Sequence, residues 1–153
     1  MDESKKQFII NSTASAKMVA HPFPVMTACE AALESGFGTS DLAVRYHNLF
    51  GMKQHRHPVF DTVSLPTHEF MDGMWEEVTG EFIAYPTIDD CFADRLATLY
   101  RLASVYPNYK LALEAQTPED YIDHVSATWS TDPHRAQKVL AIYSEVLADE
   151  ITA

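Results

Sequence analysis

Few residues of this chain are suited to chemistry, and the clearest is Glu34, in the segment Ala31-Ala-Leu-Glu-Ser-Gly-Phe-Gly38. Val25, Ala28, Cys29, Ala32 and Leu33 are spaced as one face of a helix that Pro24 could open and Gly36 could close in a left-handed conformation. Glu34 then stands at the negative end of a helix dipole, which opposes ionisation of a carboxylate. Exclusion of water by Phe37 would act in the same direction. A carboxyl that keeps its proton near neutral pH is what a general acid needs to protonate a leaving oxygen. From helix position alone, a solvated glutamate that merely ends a helix is the plainer reading.

Other chemistries find less support. His55-Arg-His57, with His47 and His68 nearby, raises the question of a metal. No established zinc-ligand spacing appears, so neither a metal site nor a cofactor is expected. Cys29 and Cys91 each lie among apolar neighbours and are expected to be two buried thiols rather than a disulfide. No Gly-x-Ser-x-Gly nucleophile signature and no phosphate-cradling glycine loop is present.

The elements that must position Glu34 are mainly helical. Phe92, Leu96, Leu99, Tyr100 and Ala103 repeat the helical stripe, with Thr87 and Asp90 as a capping box. Thr117-Pro118-Glu119-Asp120 reads as an N-cap, a proline at the first helical position and early acidic residues; Tyr121, Ile122, Val125 and Trp129 follow as the buried face. Asp132-Pro133 opens a last helix with the stripe Ala136, Val139, Leu140, Tyr143, Val146 and Leu147, and Asp132 is expected to cap it. A less strongly patterned helix covers residues 4–19. Between Val59 and Tyr85 the helical period disappears. Short runs (Val59-Phe60, Thr62-Val63, Phe82-Ile83) are separated by Pro66, Asp72-Gly73 and Gly80, which predicts short strands with Asp72-Gly73 as a tight turn. The expected architecture is α+β: one domain over residues 1–153, a helical body carrying a small β-lobe at about 57–85.

Composition narrows the partners. The chain has 153 residues, 22 acidic against 11 basic side chains, and a net charge of −11. That balance argues against nucleic acid, which requires a basic face. Eight carboxylates and no Lys or Arg lie between Glu69 and Asp94, a run read mostly as a solvated face. No stretch approaches the roughly 18 apolar residues of a membrane span, and no signal peptide is visible at the N-terminus.

Three segments in order carry a family resemblance. Ala32-Leu-Glu-Ser-Gly-Phe-Gly-Thr-Ser-Asp-Leu-Ala43, followed by Asn48-Leu-Phe-Gly-Met-Lys53, resembles the signature of the peptidoglycan-cleaving glucosaminidases of flagellar and autolysin type, glycoside hydrolase family seventy-three. Thr67-His-Glu69, followed by Gly73, is similar to that family's Thr-x-Glu strand. Trp129-Ser-Thr-Asp-Pro133 resembles its Tyr-Ala-Thr-Asp-Pro segment. The resemblance covers about residues 25–145 and implies a lysozyme-like fold whose β-lobe flanks a sugar-binding cleft. It implies Glu34 as the catalytic acid and points to Glu69 as a second carboxylate; a solvated strand carboxylate is the alternative for Glu69.

The departures matter. Trp129 stands where the family commonly has a tyrosine; an indole can stack on a sugar and donate one N–H but has no phenol. Ile83 replaces an arginine, and Phe37 conservatively replaces a tryptophan and is counted with Trp129 among the substrate-binding residues. Asn48 could orient an N-acetyl group or brace the Glu34 helix. Tyr46, Trp75, Tyr85 and Tyr106 are aromatic cleft candidates, each with core packing as its alternative.

The reaction so implied is hydrolysis of the β-1,4 bond between N-acetylglucosamine and N-acetylmuramic acid. Glu34 would protonate the glycosidic oxygen, and Glu69 would activate water or stabilise positive charge. The alternatives are a lytic transglycosylase or muramidase on the same polymer and a glycan-binding module without turnover. The transglycosylase is disfavoured because its Gly-Leu-Met-Gln segment is missing. The expected setting is the bacterial cell wall or periplasm, reached by another export route, after trimming, or by delivery. A monomer is expected, with any immunity or delivery partner left open.

Overall fold

The computed structural model describes residues 1–55 and 59–151. The described residues form seven helices and one β-hairpin: α1 (Glu3–Met18), α2 (Pro24–Ser35), α3 (Asp41–Tyr46), β1 (Asp61–Met71), β2 (Met74–Ala84), α4 (Ile88–Leu102), α5 (Pro107–Leu113), α6 (Pro118–Trp129) and α7 (Arg135–Ala148). The mainly helical α+β architecture expected from the pattern is the one observed.

Helix α2 is the central element, buried on nearly every side from Met26 to Ala32. A helix without a polar face must sit between layers. On one side Cys29 and Ala32 join Ile9, Leu99, Tyr121, Val125, Val139 and Val146, which gathers α1, α4, α6 and α7 into one core. On the other, Ala31 joins Leu49, Phe50, Ile83, Tyr85, Cys91 and Phe92, which ties the base of the hairpin to α4. Cys29 and Cys91 are free and buried, and burial pushes both thiols up to about 12.

Caps follow the expected chemistry at most helix starts. Thr87 and Thr117 each accept the backbone N–H three residues on, at 3.1 Å. Gly36 closes α2 in the left-handed region at φ 57°. The last helix begins later than Asp132-Pro133 suggests. Its first helical residue is Arg135, and Asp132 instead accepts the His134 N–H at 2.9 Å in the turn before it. Two short helices, α3 and α5, give too few periods to be read from apolar spacing.

The hairpin differs from expectation in one respect. The strands are not broken at Pro66 and Gly80: β1 and β2 are eleven residues each, paired antiparallel from Asp61↔Ala84 to Met71↔Met74. In a two-stranded ribbon each strand has an open edge, so the missing N–H of Pro66 need not break a ladder bond. Gly80 leaves the space into which the Phe82 ring folds, 2.9 Å from where a Cβ would stand. Val59-Phe60 lies outside the strands. Asp72 and Gly73 form the expected two-residue turn with φ of 52° and 80°, the geometry that matches the strand twist.

Asn48 fixes this hairpin to the body. Its amide donates to the carbonyls of Met52 (3.0 Å) and Ile83 (2.9 Å), and its oxygen accepts the Met52 N–H (2.9 Å). Fully buried, it has no group left for a ligand. Removing one partner leaves the others unsatisfied at about 1–3 kcal/mol. Asn48→Ala is therefore expected to lose about 2–4 kcal/mol in urea denaturation; a loss below about 0.5 kcal/mol would contradict this bracing role.

Candidate active site

A cleft of about 360 Å³ runs between the C-terminal end of α2, residues 50–55, β1, and the ends of α4, α5 and α6. Glu34, Glu69 and Trp129 all line it, although they come from α2, β1 and α6. The sequence-selected Phe37, Asn48, Tyr46 and Tyr85 do not.

Glu34 is set by a buried ionic cluster. Its Oε1 accepts from Nε of Arg135 at 2.8 Å. Arg135, 1% exposed, also donates to Oε2 of Glu30 (2.8 Å) and to the Ser126 hydroxyl (2.8 Å). Glu30 lies one helical turn before Glu34 and is completely buried. Arg95 holds it with two bonds of 3.2 and 2.7 Å, and the Tyr121 hydroxyl donates a third at 2.6 Å. Burial opposes ionisation of Glu30, but the two guanidiniums and these hydrogen bonds outweigh it and hold the carboxyl at about 2. The Arg95 guanidinium lies between the rings of Phe50 (4.6 Å) and Trp129 (4.2 Å), both of which line the cleft. Glu34 thus rests on a cation, not in the apolar pocket that Phe37 was expected to make. Phe37 turns toward α1 instead, edge-on to Phe8 at 6.0 Å and beneath the Lys5 ammonium.

Glu69 lines the cleft from the hairpin. The Lys53 ammonium bonds its Oε1, and the Thr131 hydroxyl donates to its Oε2 at 3.0 Å while accepting the Phe70 N–H at 2.9 Å. The hydrogen bond from Lys53 is the main cause that holds the Glu69 carboxyl below its usual range, against a smaller opposing effect of burial. Thr131 thereby ties the hairpin to the segment between α6 and α7. A second cavity of about 420 Å³ lies behind that segment, lined by Asp123, Ser126, Thr131, Asp132 and Arg135 among others.

The aromatic candidates are spent in different ways. Tyr85 is buried with its hydroxyl donating to Asp94 at 2.5 Å. Tyr46 carries the Arg45 guanidinium over its ring, at 5.2 Å. Trp75 is half exposed near the hairpin turn, against Phe70. Tyr106 lies partly exposed against Tyr109, a cleft residue that apolar spacing did not single out. His55 lines the cleft, with Nε2 3.7 Å from Asp94, and His68 lines it from β1. His57 lies outside the described residues, and among those described no group of three His, Cys, Asp or Glu could hold a metal.

Glu30, Arg95 and Arg135 were also missed, yet they left a signal. Each is a charge on an apolar stripe: Glu30 beside Cys29, Arg95 between Phe92 and Leu99, Arg135 four residues before Val139. Opposite charges on facing apolar stripes predict a buried pair, because neither can be left alone there.

The profile of the family described as mannosyl-glycoprotein endo-beta-N-acetylglucosaminidase matches residues 13–147. The chain belongs to this glucosaminidase family. Exo-glucosaminidase LytG of Bacillus subtilis is 30% identical over 132 residues, which are 85% of this chain and 46% of that protein, so the chain spans less than half of that relative. Among solved structures, the catalytic domain of the autolysin Auto from Listeria monocytogenes superposes with a TM-score of 0.76 at 23% identity, covering 99% of this chain and 89% of that one. The glycoside hydrolase domain of FlgJ from Salmonella typhimurium gives 0.71 at 23%, covering 98% and 91%. These two solved domains share with this chain the lysozyme-like, mainly helical α+β fold.

His21, buried beside this cluster, contributes to the acid sensitivity of this family member. His21 accepts the Phe23 N–H on Nδ1 (2.9 Å), which leaves the proton on Nε2, 3.4 Å from the Tyr121 hydroxyl. Burial first, then the Arg95 charge, pushes His21 down from 6.5 to about 4, against a weaker pull from Glu30. Between these values the unfolded chain binds a proton that the folded chain refuses, so stability falls as pH drops from 6.5 to about 4. The loss approaches roughly 3 kcal/mol. Urea midpoints measured across this window should fall in the wild type and flatten in His21→Asn; parallel slopes would contradict the assignment.

Proposed function

We propose that this domain hydrolyses the glycan strand of peptidoglycan on the N-acetylglucosamine side, with Glu34 as general acid and Glu69 as the second carboxylate. The observation that carries this reading is the convergence of Glu34 and Glu69, from α2 and the hairpin, on one cleft. Family membership supports the substrate class, and the two carboxylates supply the chemistry.

Their environments divide the roles. Lys53 and Thr131 keep Glu69 ionised, which suits it to activate water or to face an oxocarbenium-like transition state, and not to donate a proton. Glu34 has one oxygen on Arg135, and its other oxygen has no polar partner among the described residues. That free oxygen is the one suited to carry the proton to the glycosidic oxygen. Once the proton has left, Arg135 is already in place to stabilise the carboxylate that remains, without reorganisation. The acetamido carbonyl of the cleaved sugar is an alternative nucleophile, and Glu69 would then stabilise charge. Trp129, backed by Arg95, offers the flat surface for a sugar ring.

Purified sacculi digested with the protein, then reduced with borohydride and analysed by mass spectrometry, identify the bond. New reducing ends on N-acetylglucosamine are expected from the wild type. Glu34→Gln should lose about a hundredfold to ten-thousandfold in rate, the contribution of a general acid, while its circular dichroism stays unchanged. Muramic or anhydromuramic ends, or activity retained in the variant, would overturn the reading. Glu69→Gln should lose about a hundredfold or more with its fold retained; near-wild-type rates would return Glu69 to a solvated strand carboxylate.

A further inference from the structure

Among the described residues, Tyr109 is the one phenol that lines the cleft. The residue opens on α5, which Pro107 starts, and its ring is packed against Tyr106 at 5.6 Å and Trp129 at 6.2 Å. The side chain is 5% exposed, so its orientation is fixed by packing. Its hydroxyl nevertheless has no hydrogen-bond partner among the described residues, and it is not one of the buried unsatisfied atoms. Its oxygen is therefore not sealed from solvent, and the residue lines the cleft that also holds Glu34 and Glu69. Among the described residues the hydroxyls of the other two buried tyrosines are engaged: Tyr85 donates to Asp94 and Tyr121 to Glu30.

A phenol held rigid by its ring and left open at its oxygen is preorganised for a ligand, because it gives up neither side-chain freedom nor an internal bond on binding. Trp129 presents its ring beside it. A sugar lying against that indole brings its equatorial hydroxyl or acetamido groups to the level of a neighbouring phenol. Burial pushes the Tyr109 phenol up, so it keeps its proton and can donate as well as accept at neutral pH.

We propose that the Tyr109 hydroxyl hydrogen-bonds directly to a hydroxyl or acetamido group of the sugar seated on Trp129, and so holds that ring in register with Glu34. The proposal rests on the glycan-hydrolase reading above. In this chain the cleft phenol comes from α5, while position 129 contributes an indole.

Tyr109→Phe tests it cleanly. The substitution removes one oxygen that has no internal partner, so the thermal midpoint should hold, while kcat/KM on sacculi falls about tenfold, the worth of one hydrogen bond near the upper end of its range. Tyr106→Phe, which removes a phenol outside the cleft, should leave the rate within about twofold. Inactive wild-type protein would refute the glycan-hydrolase reading itself. Active wild type with an undiminished Tyr109→Phe, or an equal loss in Tyr106→Phe, would overturn the assignment of Tyr109 alone.

Discussion

Burying Glu30 constrains everything around it. A carboxylate at the centre of an apolar helix is tolerated only when cations and hydrogen bonds surround it. Here Arg95 from α4, Arg135 from α7 and Tyr121 from α6 converge on one group of α2. With Glu34 included, two carboxylates face two guanidiniums, so the cluster is neutral when all four are charged. Such a cluster adds little net stability over an apolar core of the same shape, but losing one member costs about 3–5 kcal/mol. It therefore specifies how the four helices meet, and it fixes the last turn of α2, where Glu34 emerges into the cleft.

The hairpin forms the other wall and is tied differently. Its base is packed through Ile83 and clasped by Asn48, whereas near its tip Thr131 meets Glu69 and the Phe70 N–H. One wall thus derives from a buried core and the other from polar contacts at its margin. In the proposed reaction this divides the labour: the acid sits on the rigid body, and the anionic partner sits on an element joined to the body by a few hydrogen bonds. Lys53 serves both strands of the hairpin, because its segment pairs with Phe82 on β2 and its ammonium holds Glu69 of β1 ionised.

Much of this was legible from residue types. Pro24 and Gly36 bound α2, Thr87 and Thr117 cap their helices, and Asp72-Gly73 turns the hairpin, because each of these acts locally. The position of Glu34 at a helix end followed from the same rules. Its environment did not, since Arg135 lies 101 residues away and reaches Glu34 only through packing. The aromatic candidates illustrate the same limit. Tyr85, Tyr106 and Tyr109 are alike in composition, and only tertiary contacts separate a hydroxyl bound to Asp94 from one open to the cleft. Pro66 misled for the opposite reason: a proline breaks a central strand, and nothing local announces that both strands of this sheet are edges.

The central claim is that a glycosidic bond is cut between position 34 and Glu69. The most direct measurement is a crystal structure of Glu34→Gln with a peptidoglycan tetrasaccharide bound. The account predicts a glycosidic oxygen within about 3.2 Å of the side chain at position 34, with Glu69 facing the anomeric carbon or the acetamido group of the same sugar. A strand seated instead in the cavity beside Asp123 and Asp132, with no glycosidic oxygen near position 34, would contradict it.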